Sequence, residues 1–270
     1  MDASYRCVFK IKCMSRLTKL FEQKNKRVLN VYCTAGYPHF NSTMEVMESL
    51  QKNGADIIEL GMPYSDPLAD GEVIQNSSLI ALNNGMTIDA LFEQLEKMRS
   101  SIHIPVVLMG YMNPILQYGL EDFCKKAKSV GVDGLILPDL PLYEFEQVYG
   151  ATIKANDLDF IFLVTPETPE TRLRKLDSLS SGFLYAVSSS ATTGTDKDFT
   201  KVAMYLEKLK SMQLKNPFLV GFGIKDKASF DAVNVFSNGA IIGSAYIQAL
   251  SKGKDVESTT KSFLEGVLSN

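Results

Sequence analysis

The sequence predicts an α/β protein folded as one closed barrel of eight parallel strands, a single-domain (β/α)8 TIM barrel. Three observations carry this. Eight short β-rich apolar runs alternate with amphipathic helical stretches along the 270 residues. Their spacing, about 30 residues, is the length of one strand–helix unit. Glycines cluster in the loops after the last three strands, where barrels gather ligand-binding loops. No linker, low-complexity tract or composition break interrupts the series, so one domain is expected. An open doubly wound sheet could hold the same units; the count of eight favours closure.

Each element can be read in order. Residues 1–13, "MDASYRCVFKIKC", mix charge with short apolar pieces and lack the apolar core of a secretory signal. They read as an N-terminal extension or an ordinary N-terminal segment, with the barrel over residues 14–270. "MSRLTKLFE" opens a helix and "RVLNVYCT" is the first strand. "STMEVMESLQKNG" is amphipathic, with Asn41-Ser42 as N-cap region and Gly54 as its stop. "DIIELGMP" is the second strand, and "GEVIQNSSLIALNNG" is an extra helix in the loop after it. The remaining strands are "PVVLMGY", "DGLILPD", "DFIFLVTP", "GFLYAVSS", "FLVGFGI" and "AIIGSA". Helices between them include "IDALFEQLEKMRS", "LEDFCKKAKSVG" and "FTKVAMYLEKLKSM", and a short helix begins at Ser244 after the eighth strand.

Composition narrows the function. A net charge of −3 gives no basic face for nucleic acid. No apolar run approaches the roughly 18 residues of a membrane span. Cys7, Cys13, Cys33 and Cys124 show no CxxC spacing, which reads as reduced thiols in a cytoplasmic protein. With only His39 and His103, no metal site is expected.

The acids near the second strand stand out. Glu59 lies inside an apolar strand, and Asp66 and Asp70 follow within a turn-rich loop. If Glu59 points into the barrel, burial favours its protonated form and suits it to acid–base work near neutral pH. The plainer reading is a Glu paired with a buried Tyr or amide. "SDP" and "ADG" are turn sequences in which Asp bonds its own backbone. Three acids within twelve residues at one strand end shift the balance, because neighbouring carboxylates separate in pKa and role.

Three later loops share another chemistry. "SSSATTGT", "GFGIKD" and "IIGSAYIQAL" follow strands six, seven and eight. Gly194, Gly223 and Gly243 let backbone N–H groups approach an anion, and Ser244 adds a hydroxyl at a helix N-terminus. Such loops hold phosphate in many barrels; the alternative is tight turns without a ligand.

"GADIIELGMPYSDPLADG" followed by "VIQNSS" resembles the signature of the tryptophan synthase alpha subunit family. "YCTAGYP", "LPDLP", "TTG", "GFGI" and "IIGSA" fall in the family's order, over residues 15–268. The resemblance implies cleavage of indole-3-glycerol phosphate to indole and glyceraldehyde 3-phosphate. It also implies a beta-subunit partner in an alpha2beta2 heterotetramer. The alpha chain is then cofactor-free, with pyridoxal phosphate in the beta subunit. Glu59 corresponds to the catalytic acid–base, Asp70 to the second carboxylate, and Tyr185 to a tyrosine near the reacting carbons. Gly194, Phe222, Gly223, Gly243 and Ser244 correspond to the phosphate site, and Thr193 to a loop threonine that orients the second carboxylate. Tyr32, which stands where a Phe is frequent, and Leu108, Leu137 and Ile161 are expected to line the indole pocket. Asp66, Asn113 and Pro114 are expected to face the partner. The alternatives are a non-catalytic barrel that activates a beta subunit, and another phosphate-binding barrel isomerase.

Overall fold

The computed structural model describes residues 14–187, 196–221 and 223–269. The proposed extension at 1–13 and the expected site residues Thr193, Gly194 and Phe222 lie outside the described residues.

The strands are β1 Val28–Thr34, β2 Ile57–Gly61, β3 Val106–Met109, β4 Gly134–Ile136, β5, β6 Leu184–Val187, β7 Phe218–Gly221 and β8 Gly239–Ile242. β5 has two segments, Asp159–Phe160 and Leu163–Val164. The first pairs with β4 and the second with β6. Between them Ile161 N donates to Leu135 O, and Tyr185 N donates to Phe162 O, each at 3.0 Å. Parallel pairing of β8 with β1 completes the ring. This is the (β/α)8 TIM barrel expected from the repeat. The break in β5 is the one departure from eight uniform strands, and alternation survives it. Phe160 and Phe162 both stack on Phe145, with centroids 4.5 and 4.9 Å away.

Register decides which residues face inward. Tyr32 pairs with Glu59, and Glu59 with Val107. Side chains alternate along a strand, so Asn30, Tyr32 and Thr34 share the interior with Glu59, Gly61, Val107 and Met109. Leu60 and Leu108, paired with each other, face the helix layer. There Val46, Met47 and Leu50 of the helix Ser42–Lys52 bury their side chains. Fully burying one such chain is worth roughly 1.5–3 kcal/mol. Asn41 occupies that helix's N-cap position without a side-chain bond, and Gly54, at φ +104°, ends it.

Both extra helices are present. Glu72–Asn83 buries the small residues Ser77, Ser78 and Ala81, which lets it lie close to β1. Ser77 Oγ and Thr34 Oγ1 share a 2.7 Å hydrogen bond. Ser244–Lys252 starts directly after β8. Its buried Tyr246 bonds Thr260 Oγ1 at 2.7 Å, fixing it to the C-terminal helix Val256–Leu268. Among the described residues no helix is long and apolar enough to cross a membrane.

Candidate active site

A cavity of about 250 Å³ opens at the C-terminal ends of the strands. Glu59, Asp70, Tyr32 and Tyr185 line its floor. Gly223, Ile224, Lys225, Gly243, Ser244 and Ala245 line one side. Ile74, Met109, Leu163 and Ile241 give it apolar walls.

Glu59 is 1% exposed. Burial raises its pKa to about 8; a hydrogen bond from Asn30 Nδ2 to Oε2 at 2.7 Å pulls the other way, and nearby Asp70 adds to the rise. The carboxyl therefore exchanges a proton near neutral pH. Asp70 is pushed up to about 6 by burial, opposed by the hydrogen bond it accepts from Tyr111 Oη at 3.0 Å. Tyr111 Oη also accepts from Ala69 N at 3.0 Å, which clamps the loop carrying Asp70. The two carboxyls thus divide near pH 7: Glu59 holds its proton while Asp70 is mostly ionised. Tyr32 and Tyr185 are held well above the ordinary phenol pKa, chiefly by burial, so both stay neutral.

Strand glycines make room for these rings. A Cβ on Gly61 would collide with the Tyr32 phenol, and one on Gly221 with the Tyr185 ring. Each glycine leaves room for a tyrosine ring to pack directly against the strand.

The opposite side is built from backbone. Gly223 has φ +76°, a left-handed conformation that favours glycine. Gly243 precedes the helix Ser244–Lys252, and no side chain caps that helix. Its N-terminal N–H groups and positive dipole end therefore remain available to an anion.

The structure brings Glu59, Asp70, Tyr185, Tyr32, Gly223, Gly243 and Ser244 to one cavity. The pocket expectation for Leu108 and Leu137 is corrected. Leu108 faces the helix layer, and Leu137 follows Ile136, which pairs with Met109 on the inner face. Ile161 is fully buried next to Gly134 and is not among the residues that line the cavity. Met109, Leu163, Ile74, Ile224 and Ile241 supply the apolar surface instead. Asp66 is exposed and accepts from Ser65 Oγ at 2.5 Å; Asn113 is exposed and donates to Tyr64 Oη at 3.1 Å; Pro114 is half-buried. Sequence reasoning missed Asn30, Tyr111 and Lys225. Lys225 was legible in "GFGIKD", two residues after the loop glycine; Asn30 and Tyr111 reach the acids only through the fold.

A barrel with two carboxyls of separated pKa at its strand ends, facing a helix N-terminus, defines an acid–base enzyme of the TIM-barrel class. Comparison with known proteins gives the particular family. The family model "Tryptophan synthase alpha chain" matches residues 18–267. The chain is 48% identical over 240 residues to the tryptophan synthase alpha chain of Flavobacterium johnsoniae, covering 88% of this chain and 94% of the relative. The Parabacteroides distasonis alpha chain is also 48% identical, over 88% of this chain and 93% of its own length. The solved tryptophan synthase subunit alpha of Legionella pneumophila superimposes with a TM-score of 0.85 at 34% identity, covering 94% of this chain and 97% of its own. A chain of M. tuberculosis tryptophan synthase in its aminoacrylate-bound form gives 0.82 at 31%, covering 94% and 100%. The chain belongs to the tryptophan synthase alpha chain family. As a member it is a carbon–carbon lyase that cleaves indole-3-glycerol phosphate to indole and glyceraldehyde 3-phosphate. Alpha chains of this family carry no cofactor. They pass indole to a pyridoxal-phosphate-dependent beta subunit for L-tryptophan synthesis in an alpha2beta2 assembly.

Proposed function

We propose that Glu59 is the acid–base of the cleavage and Asp70 its electrostatic partner. The ring carbon bearing the glycerol chain takes a proton from Glu59, giving an indolenine cation. The ionised Glu59 then removes the proton of the adjacent hydroxyl. The carbon–carbon electron pair returns to the ring, freeing indole, and the former carbinol becomes the aldehyde. The indolenine is positive at its ring nitrogen. Ionised Asp70 accepting from that N–H stabilises the cation more than the neutral substrate. Tyr185 and Tyr32 pack the ring between them, with Met109 and Leu163 at its edge.

The substrate phosphate sits at Gly223, Gly243, Ser244 and the following helix N-terminus, with Gly194 and Phe222 completing the cradle and Thr193 orienting Asp70. Lys225 adds a charge there. Asp66, Asn113 and Pro114 belong to the partner surface; Leu68 between the two acids is 93% exposed, and Leu116 on the neighbouring helix is 46% exposed, which supports this. Residues 14–270 act as one catalytic domain, with 1–13 as an extension, in the cytoplasm. The observation that carries the reading is Glu59 and Asp70 sharing one cavity with an uncapped helix N-terminus. The test is incubation of the purified chain with indole-3-glycerol phosphate and measurement of free indole. Slow release that rises on adding a beta subunit is expected; no indole in either case would overturn the reading in favour of a non-catalytic, activating barrel.

A further inference from the structure

The two oxygens of Glu59 are not equivalent. Oε2 takes the hydrogen bond from Asn30 Nδ2 inside the barrel. Asn30 is completely buried on β1, level with Ile57 and Ile241 and one layer beneath Tyr32 and Glu59. Its remaining polar atom, Oδ1, is buried and has no hydrogen-bond partner among the described residues. Leaving a buried carbonyl unpaired is costly, and a leucine of similar size would avoid that cost. Among the described residues the amide's one side-chain hydrogen bond is the one to Glu59.

Resting on the role given to Glu59 above, we propose that Asn30 is a positioning residue that assigns the mobile proton to Oε1. An amide N–H can only donate. While Asn30 Nδ2 points at Oε2, that oxygen must accept, as a carboxylate oxygen or as the carbonyl of the protonated acid. The proton then leaves from and returns to Oε1, the oxygen left for the cavity. The same bond fixes the carboxyl plane through both halves of the reaction. It also stabilises the ionised form that must exist between the two proton transfers. Among the described residues the titratable groups that act on or are acted on by Glu59 are Asp70 from the loop after β2, Tyr32 beside it on the inner face of β1, Cys33 on the outer face of that strand, and Tyr185 from β6; none is a cation. Asn30 is thus the neutral donor that favours the carboxylate.

The test is Asn30→Leu, assayed with the beta subunit and beside Glu59→Gln. Asn30→Leu is expected to lower kcat about tenfold with KM changed less than about twofold, and to move the alkaline limb of kcat up by about one pH unit. A lowered kcat with an unmoved limb, or an unchanged enzyme, overturns the role of Asn30 provided Glu59→Gln is inactive. Near-normal turnover in Glu59→Gln overturns the reading of Glu59 and this inference with it. A second measurement needs no variant. In the wild-type chain one Asn30 side-chain amide proton should stay hydrogen-bonded by NMR from pH 6 to pH 9, its shift moving with the Glu59 titration. Loss of that bond as Glu59 gains its proton overturns the assignment.

Discussion

Tyr111 Oη donates to Asp70 Oδ2 at 3.0 Å while accepting from Ala69 N at the same distance. One phenol from the end of β3 therefore holds both the carboxylate and the backbone of the loop after β2. Its donation favours ionised Asp70. In Tyr111→Phe the pKa of Asp70 rises further, so the acid limb of kcat moves above about pH 6. Turnover at pH 6 should fall about tenfold, with a smaller loss at pH 8. An acid limb that stays in place would remove Tyr111 from this role.

In the proposed mechanism cleavage needs Asp70 ionised and Glu59 protonated. Their pKa values of about 6 and about 8 predict a bell-shaped kcat profile with its maximum near neutrality. In Asp70→Asn the acid limb should vanish and kcat fall roughly 100–1000-fold with binding retained. A persisting acid limb in that variant assigns it to another group.

Glu59→Gln should separate chemistry from stability. The Glu59 pKa is raised in the folded state, from 4.5 to about 8. The folded chain thus binds a proton more tightly than the unfolded one between those values. Stability is full below the unfolded pKa and declines as pH rises towards the folded pKa. Glutamine, never ionised, escapes that decline. The variant should lose cleavage by at least about two decades yet be more stable than wild type at pH 8, by on the order of 1–3 kcal/mol. Urea unfolding at pH 5 and pH 8 reads the difference; equal gains at both would contradict it.

Lys225 is an exposed cation on the side of the cavity formed by Gly243 and Ser244. Lys225→Ala should raise KM several-fold with little change in kcat, since its attraction for the phosphate is the same in ground and transition states. The effect should shrink at about 0.5 M salt, where screening is strong. A KM difference that is independent of salt speaks against a charge effect.

Asp133, at the opposite end of the barrel, tests the scaffold alone. It is nearly buried, pairs with Arg99 at 2.5 Å and Arg16 at 2.9 Å, and accepts from Val106 N at 2.8 Å. Asp133→Ala leaves the half-buried Arg99 charge unpaired and should cost about 3–5 kcal/mol in urea unfolding. The active-site pH profile should not move.

Much of this was legible in sequence because strand–helix alternation, loop glycines and the acids after β2 are local patterns. Glu59 could be singled out because a carboxylate in an apolar strand is rare and has few uses. The indole-pocket reading failed at Leu108 and Leu137 because an apolar strand residue looks alike on either face; a shift of one residue exchanges cavity for helix layer. Met109 rather than its neighbour Leu108 lines the site, since Glu59 pairs with Val107.

By itself the sequence determined the repeat, the number of units and the residue types at each strand end, since these follow from spacing and side-chain chemistry. Only the tertiary structure decided the register that turns Asn30 under Glu59, brings Tyr111 to Asp70 and sets Gly61 and Gly221 beneath two tyrosine rings. Those contacts join residues 29 and 41 positions apart in the chain, Asn30 to Glu59 and Asp70 to Tyr111. No local propensity encodes such a meeting; it arises when hydrogen-bonded strands close into a ring and fix which side chains share its interior.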